Sequence, residues 1–263
     1  MIANFFQSLN DRGVEYLLIS GQATVLYGAA TFSEDVDLWI KPTSENCDRF
    51  VATLRDCQAR FYKLTPQLTV QNLSRGHGFH FVLPGENESD VFLDVMGSPP
   101  RVGPFAASLA TARWMETEWG AIRTIGLQPL VELKKTQRLE DYPVISKLSL
   151  AWFDQPECAN TPADLRWALQ NIFTLPEWRA FFSEHAEAVD LSAENLNPAV
   201  IEFGRHVCSG DDASELVERQ ASEWMQQRIA DLQQADRHYW REIIAQLKAL
   251  RAAGKLITEG SAV

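Results

Sequence analysis

The sequence predicts an α+β protein in two parts: a sheet-containing domain over residues 1–150 and an all-helical domain over 151–263. Apolar runs of strand length, at 16–19, 36–40, 79–83 and 91–96, are set off by turn residues in the first part. Beyond residue 150 the apolar positions recur only at helical spacing. Between the first two runs a Ser-Gly turn precedes a helix-compatible segment, and two carboxylates stand at the start of the second run.

Ile2, Phe5, Phe6 and Leu9 share one face of a short helix over 2–12, which Gly13 stops. Tyr16–Ile19 is apolar throughout and reads as a buried strand ending at Ser20-Gly21. A short helix over Gln22–Tyr27 follows, and Gly28 ends it. On the strand Val36–Ile40, residues two apart share a face, so Asp35 and Asp37 emerge side by side while Val36, Leu38 and Ile40 point into a core. Pro42-Thr43-Ser44 opens a helix with Phe50, Val51 and Leu54 as its apolar stripe. Leu64–Leu73 reads as a further strand, with Pro66 blurring its start.

Phe79–Leu83 and Val91–Met96, joined by Pro84-Gly85-Glu86-Asn87-Glu88-Ser89, read as a β-hairpin with a polar loop. Asp94 sits between Leu93 and Val95, where a carboxylate is costly unless paired, hydrogen-bonded or metal-bound. Asp90, four residues earlier, adjoins the loop, where solvent explains it. His77, between glycines, reads as an exposed turn residue; His80, on the strand beside that of Asp94, either faces the same place or packs. Gly97-Ser98-Pro99-Pro100 leads into a less regular region holding Trp114 and Trp119. Pro129 starts a helix on which Lys134 and Arg138, four apart, share a face, ahead of Glu140-Asp141. In the second part Thr161-Pro162, Leu175-Pro176 and Asn197-Pro198 are helix starts. Residues 213–253 hold no Gly or Pro and read as one long helix or two with a soft break; the tail after Gly254 is expected to fray.

Composition narrows the class. Apolar residues make up 46% and charged residues 22%, ordinary for a globular protein. No apolar run approaches the roughly 20 residues that span a bilayer, and MIANFFQSLNDRG has no early positive charge, so a cytoplasmic protein without a membrane partner is expected. Four scattered cysteines without Cys-x-x-Cys pairing read as reduced thiols. The net charge of −11 is uneven: residues 1–150 carry 14 Lys and Arg against 17 Asp and Glu, the remainder 10 against 18. That balance favours a nucleotide or a protein as partner over a long nucleic acid.

Two carboxylates aimed at one place repel each other, and a cation relieves the repulsion. An Asp-x-Asp pair alone also occurs as a solvated cap of a strand end. Here, with a strand, Ser20-Gly21 and a helix ahead of Asp35-Val36-Asp37, the unit resembles the signature of the nucleotidyltransferase fold, the DNA-polymerase-β-like superfamily. It is most similar to the minimal bacterial members and their toxin- and phage-defence-type relatives, in which a Ser or Thr two residues before the first Asp is common, as Ser33 is here. Thr31 stands where several branches carry Arg.

The resemblance implies a mixed β-sheet nucleotidyltransferase-like catalytic domain over 1–150, with Asp94 as the third carboxylate. It implies that Asp35, Asp37 and Asp94 are catalytic and hold Mg2+ (or Mn2+), and that Ser20, Gly21, Gln22, Ser33 and Lys134, with Lys135 second, bind the nucleotide. A Cβ at Gly21 would obstruct the phosphates on this reading. The implied activity moves NMP from an NTP such as ATP to an acceptor (a protein, an RNA end or a small molecule), by resemblance in a toxin–antitoxin or defence setting. The helical part would serve a protein partner. The alternative is a non-catalytic nucleotide- or partner-binding module that retains the fold.

Overall fold

A computed structural model describes residues 2–85, 90–191, 197–211 and 213–263. The chain is mixed α and β and divides into two compact units, one made of residues 1–133 and 239–263, the other of residues 134–238. The division expected at 150 falls inside a helix, and the compact units part at 133/134 and again at 238/239.

The first unit starts with α1 (Ile2–Asp11), whose Phe5, Phe6 and Leu9 are buried as the spacing requires. Strand β1 (Tyr16–Ile19) is buried at every residue and runs directly into α2 (Ser20–Leu26). The expected turn is thus compressed into one residue: Ser20 takes a left-handed φ of 57° and begins the helix itself. Strand β2 (Val36–Ile40) buries Val36, Leu38 and Ile40. Helix α3 (Ser44–Asp56) buries Phe50 and Leu54, while Val51 of the expected stripe is half-buried. Strands β3 (Arg60–Phe61) and β4 (Thr65–Pro66) are two residues each. The strand expected over 64–73 goes no further than Pro66, because Thr69 accepts a hydrogen bond from Asn72 N and caps α4 (Val70–Ser74) instead.

The hairpin forms as β5 (Phe79–Leu83) and β6 (Val91–Met96); residues 86–89 of its expected loop lie outside the described residues. The region that looked irregular contains α5 (Phe105–Ala110) and a second hairpin, β7 (Arg113–Thr117) with β8 (Gly120–Thr124). Among the described residues the principal sheet has seven strands in the order β3-β5-β6-β2-β1-β8-β7. It is mixed: β2 runs parallel to β6 and β1 parallel to β8, and the other pairings are antiparallel.

One face of this sheet is core. Phe81 meets Phe50 of α3 at 6.3 Å and Phe61 at 4.9 Å between ring centroids. Side chains alternate across a strand, so Asp37 and His80, neighbours of Leu38 and Phe81, point to the opposite face.

Helix α6 (Leu127–Lys134) ends four residues before Arg138, so the single helix expected to display Lys134 and Arg138 together is interrupted. The second unit continues with α7 (Asp141–Ala151), α8 (Pro162–Asn171), α9 (Leu175–Glu184), α10 (Ala188–Leu191) and α11 (Pro198–Ser209). Thr161 and Asp164 form a capping box at the start of α8, as the Thr-Pro signal predicts. Leu165, Trp178, Phe182 and Phe203 are central to this unit's core. Helix α12 (Glu215–Ala252) is continuous over 38 residues and runs through the division at 238/239.

The segment after Gly254 is ordered where fraying was expected. Strand β9 (Leu256–Ile257) pairs with β4, and residues 260–263 lie along β3. Phe61 N donates to Ser261 O at 2.9 Å, and Gly260 N donates to Phe61 O at 2.7 Å. These bonds satisfy an outer strand whose backbone groups would otherwise be unpaired. Removing residues 255–263 is expected to lower the unfolding free energy by at least about 1 kcal/mol, since several hydrogen bonds are lost at ~0.5–1.5 kcal/mol each. Denaturant melts of the two chains measure it, and equal stability would contradict the clamp.

His77 is buried at 1% exposure instead of sitting on an exposed turn. Its Nε2 lies 3.1 Å from Gln246 Oε1 of α12, while its buried Nδ1 has no hydrogen-bond partner among the described residues. Burial holds its pKa below the usual 6.5. Between the ordinary value and the lower folded value, the unfolded chain binds a proton that the folded chain does not. Stability is therefore expected to fall as pH drops through 6.5, and His77→Gln should flatten that slope in melts taken from pH 7.5 to 5. An unchanged slope would show that His77 does not couple folding to pH.

Candidate active site

The parallel register of β2 on β6 places Asp37 opposite Asp94. On one side Ile19 of β1 pairs with Asp37; on the other, His80 of β5 pairs with Asp94. Ile19, Asp37, Asp94 and His80 thus form one cross-strand row over four strands, on the face away from α3. Tyr62, just past β3, extends the row, because its N–H donates to His80 O at 3.1 Å.

Asp94 is the most constrained member. Its Oδ1 accepts a 2.5 Å hydrogen bond from the Tyr62 hydroxyl and lies 2.8 Å from His80 Nδ1. Burial acts to raise its pKa, but the hydrogen bond and charge of His80, the Tyr62 hydrogen bond and Lys63 outweigh it, so the carboxyl titrates below the usual range. Lys63 Nζ lies 3.0 Å from the Tyr62 oxygen and 4.5 Å from the centre of its ring. The Tyr62 phenol is pushed strongly upward, first by burial, then by its bond to Asp94 and by the negative charges of Asp94, Asp35 and Asp37. All three carboxylates therefore act electrostatically on one phenol, which stays protonated and donating. Asp90 is exposed and accepts from Gly85 N at 3.3 Å, the loop role expected of it.

Asp35 lies one residue ahead of β2, half-buried like Asp37. Ahead of it, Gln22 Nε2 donates to Ser33 O at 2.7 Å, and Ser33 Oγ donates a long 3.4 Å bond to Asp35 O. Thr24 Oγ1 closes α2 back onto Ser20 O at 2.7 Å. Ser20, Gly21, Gln22 and Ser33 are thus brought together. The reason for glycine at 21 differs from the expected one. A Cβ there would stand 2.1 Å from Ser33 Oγ, so the close approach of Ser33 is what leaves no room for a side chain.

Lys134 belongs to the second unit and is not among the residues that line the cavity beside Asp37. Its Nζ makes a 2.9 Å ion pair with Asp141 Oδ1, both groups buried, while Asp141 Oδ2 accepts from Thr136 Oγ1 at 3.0 Å. Lys135 is buried as well.

The cavity is about 290 Å3 in volume. Asp37, Asp94 and His80 line it, together with Trp240, Ile243, Ile244 and Leu247 from the last turns of α12. Among the described residues no three His, Cys, Asp or Glu side chains are grouped so as to hold a metal ion. Asp37 and Asp94 are the hard oxygen donors that the register brings together, and as a pair their chemistry suits a divalent ion such as Mg2+. Tyr62, Lys63 and the α12 residues carry no motif, and only their contacts across the fold reveal them.

The chain matches no model of a known protein family, and no curated protein matches its sequence.

The contact between Gly21 and Ser33 is open to test. Gly21→Ala is expected to destabilise the protein by about 1–3 kcal/mol through overpacking, and Ser33→Gly in the same chain should recover most of the loss. A double-mutant cycle in urea checks this; purely additive effects would contradict it.

Proposed function

We propose that the protein is a divalent-ion-dependent nucleotidyltransferase of the DNA-polymerase-β-like fold, moving NMP from an NTP to an acceptor hydroxyl. The observation that carries this reading is the register of Asp37 on Asp94, with Asp35 and the Ser20–Gly21–Ser33 turn immediately ahead of the pair. A structural role alone gives two neighbouring strands little reason to bring carboxylates opposite each other on a face lined by a cavity. A toxin-like or defence setting follows only from the resemblance of the motif.

Mg2+ held by Asp37 and Asp94, with Asp35 beside them, would supply positive charge for a triphosphate and lower the pKa of the acceptor hydroxyl. The chain's own groups have separate tasks. Ser20, Gly21, Gln22 and Ser33 are the surface proposed for the phosphates, through the Ser20 hydroxyl and backbone N–H groups. His80 and Tyr62 keep Asp94 ionised and fix its orientation. In the transfer, the acceptor oxygen forms a bond to the α-phosphorus and the bond to the α–β bridging oxygen breaks. Pyrophosphate leaves with the electron pair, and the hydroxyl proton passes to water.

A second reading is favoured by one observation. Asp94 Oδ1 is already engaged by Tyr62 and His80, as expected if the row were a structural network in a non-catalytic nucleotide- or partner-binding module. Labelled NTPs with Mg2+ separate the two. Asp37→Asn and Asp94→Asn should each lower label transfer or pyrophosphate release by at least ~10²-fold, as the loss of one electrostatic group does, with melting temperatures near wild type. Activity unaffected by both substitutions, or no activity in the wild type across protein, RNA and small-molecule acceptors, favours the module.

A further inference from the structure

The cavity over the carboxylate row says what the acceptor is, if the transferase reading above holds. Its polar floor is Asp37, Asp94 and His80; its wall is one face of α12, where Trp240, Ile243, Ile244 and Leu247 follow at i, i+3, i+4 and i+7. That wall is fixed in place. Tyr239 Oη donates to Ser98 O at 3.3 Å, His77 meets Gln246, and Gly76 lets the helix come so close that a Cβ would lie 2.7 Å from Tyr239 Oη. Leu64 and Pro66 line the cavity from the segment that β9 clamps. Leu64 is 43% and Ile244 47% exposed, so two large apolar side chains of this cavity remain open to solvent.

Chemistry limits what can enter. At about 290 Å3 the cavity lies at the lower limit of ligand pockets, ~300–1,000 Å3, enough for one ring-sized group and too little for a whole nucleotide. An anion, including the phosphates of an RNA end, would be stripped of water along the apolar wall. An ammonium would be stripped of water by the apolar wall, and Asp94 is already served by His80 and Tyr62. A neutral hydroxyl gives the floor a donor and loses nothing at the wall. The cavity spans the carboxylate row from Ile19 of β1, next to the phosphate surface proposed above, to His80 of β5 with Leu64 and Pro66.

We propose that this cavity binds the acceptor, and that the acceptor is a small uncharged alcohol on an apolar body, held by Trp240, Ile243, Ile244 and Leu247 with its hydroxyl toward Asp37 and Asp94. Its oxygen gains the bond to the α-phosphorus, its proton goes to water, and pyrophosphate carries away the electrons of the broken bond.

Ligand-observed NMR on the full chain tests this with benzyl alcohol, benzylamine, benzoate and benzyl methyl ether as probes of one size. Benzyl alcohol should bind, and the other three should bind at least ~10-fold more weakly. Ile244→Lys and Leu64→Lys, both at solvent-exposed positions, should each weaken benzyl alcohol by at least ~10-fold with unchanged melting temperature; if one of them fails to fold, the other decides. Absence of benzyl alcohol binding, equal binding to both variants, or a preference for benzylamine overturns the proposal. If an oligoribonucleotide accepts label in an Asp37-dependent way while benzyl alcohol does not bind, the acceptor proposal alone fails. If benzyl alcohol binds as described but no NTP yields pyrophosphate with it or with the protein, RNA and small-molecule acceptors above, the transfer reading alone fails.

Discussion

The register of β2 on β6, which sets Asp37 opposite Asp94, is the constraint on which the rest of the site depends. Antiparallel β1–β2 pairing and parallel β2–β6 pairing fix the register that brings Asp37 beside Asp94. Because side chains alternate, slipping either strand by one residue would bury the carboxylates and expose Leu38 or Val95. The apolar face of the sheet therefore enforces the acidic one. Around the pair, His80, Tyr62 and Lys63 provide hydrogen bonds and positive charge on the Asp94 side. Asp37 pairs with Ile19 of β1 on the other side of the row.

The long helix matters to this row through its last turns. Trp240 to Leu247 belong to the same compact unit as the sheet, and the clamp of residues 255–263 onto β3 and β4 secures the segment that carries Leu64 and Pro66. An acidic floor lies under an apolar wall in this cavity, formed by residues far apart in the sequence. Polar groups in such a place reward a donor and penalise whatever leaves them unpaired.

Sequence carries the central strands and the 79–96 hairpin clearly, because their apolar runs are short, continuous and bounded by turn residues. It hides the 113–124 hairpin, whose strands alternate with Arg113, Glu116 and Arg123 at the sheet's margin and leave Trp114 54% exposed. It misreads 64–73, where a single Thr cap converts a β-branched stretch into a five-residue helix. Asp35, Asp37 and Asp94 were legible as candidates because a carboxylate at a strand start or inside an apolar run demands a partner. Tyr62 is not, since its position arises from β3 pairing with β5, and Trp240 lies well over 100 residues along the sequence from both Asp37 and Asp94, with which it lines the cavity. At Gly21 the neighbour that a Cβ would meet is Ser33, twelve residues on, a contact that sequence alone does not reveal.

The central claim, that Asp37 and Asp94 form a divalent-ion site, is tested most directly by titrating the full chain with Mn2+ and following paramagnetic broadening of the backbone amides. The account predicts saturable broadening centred on residues 35–37 and 94, reversed by excess Mg2+ and abolished in a chain carrying both Asp37→Asn and Asp94→Asn. Broadening that is absent there, or centred on another acidic surface, would contradict it.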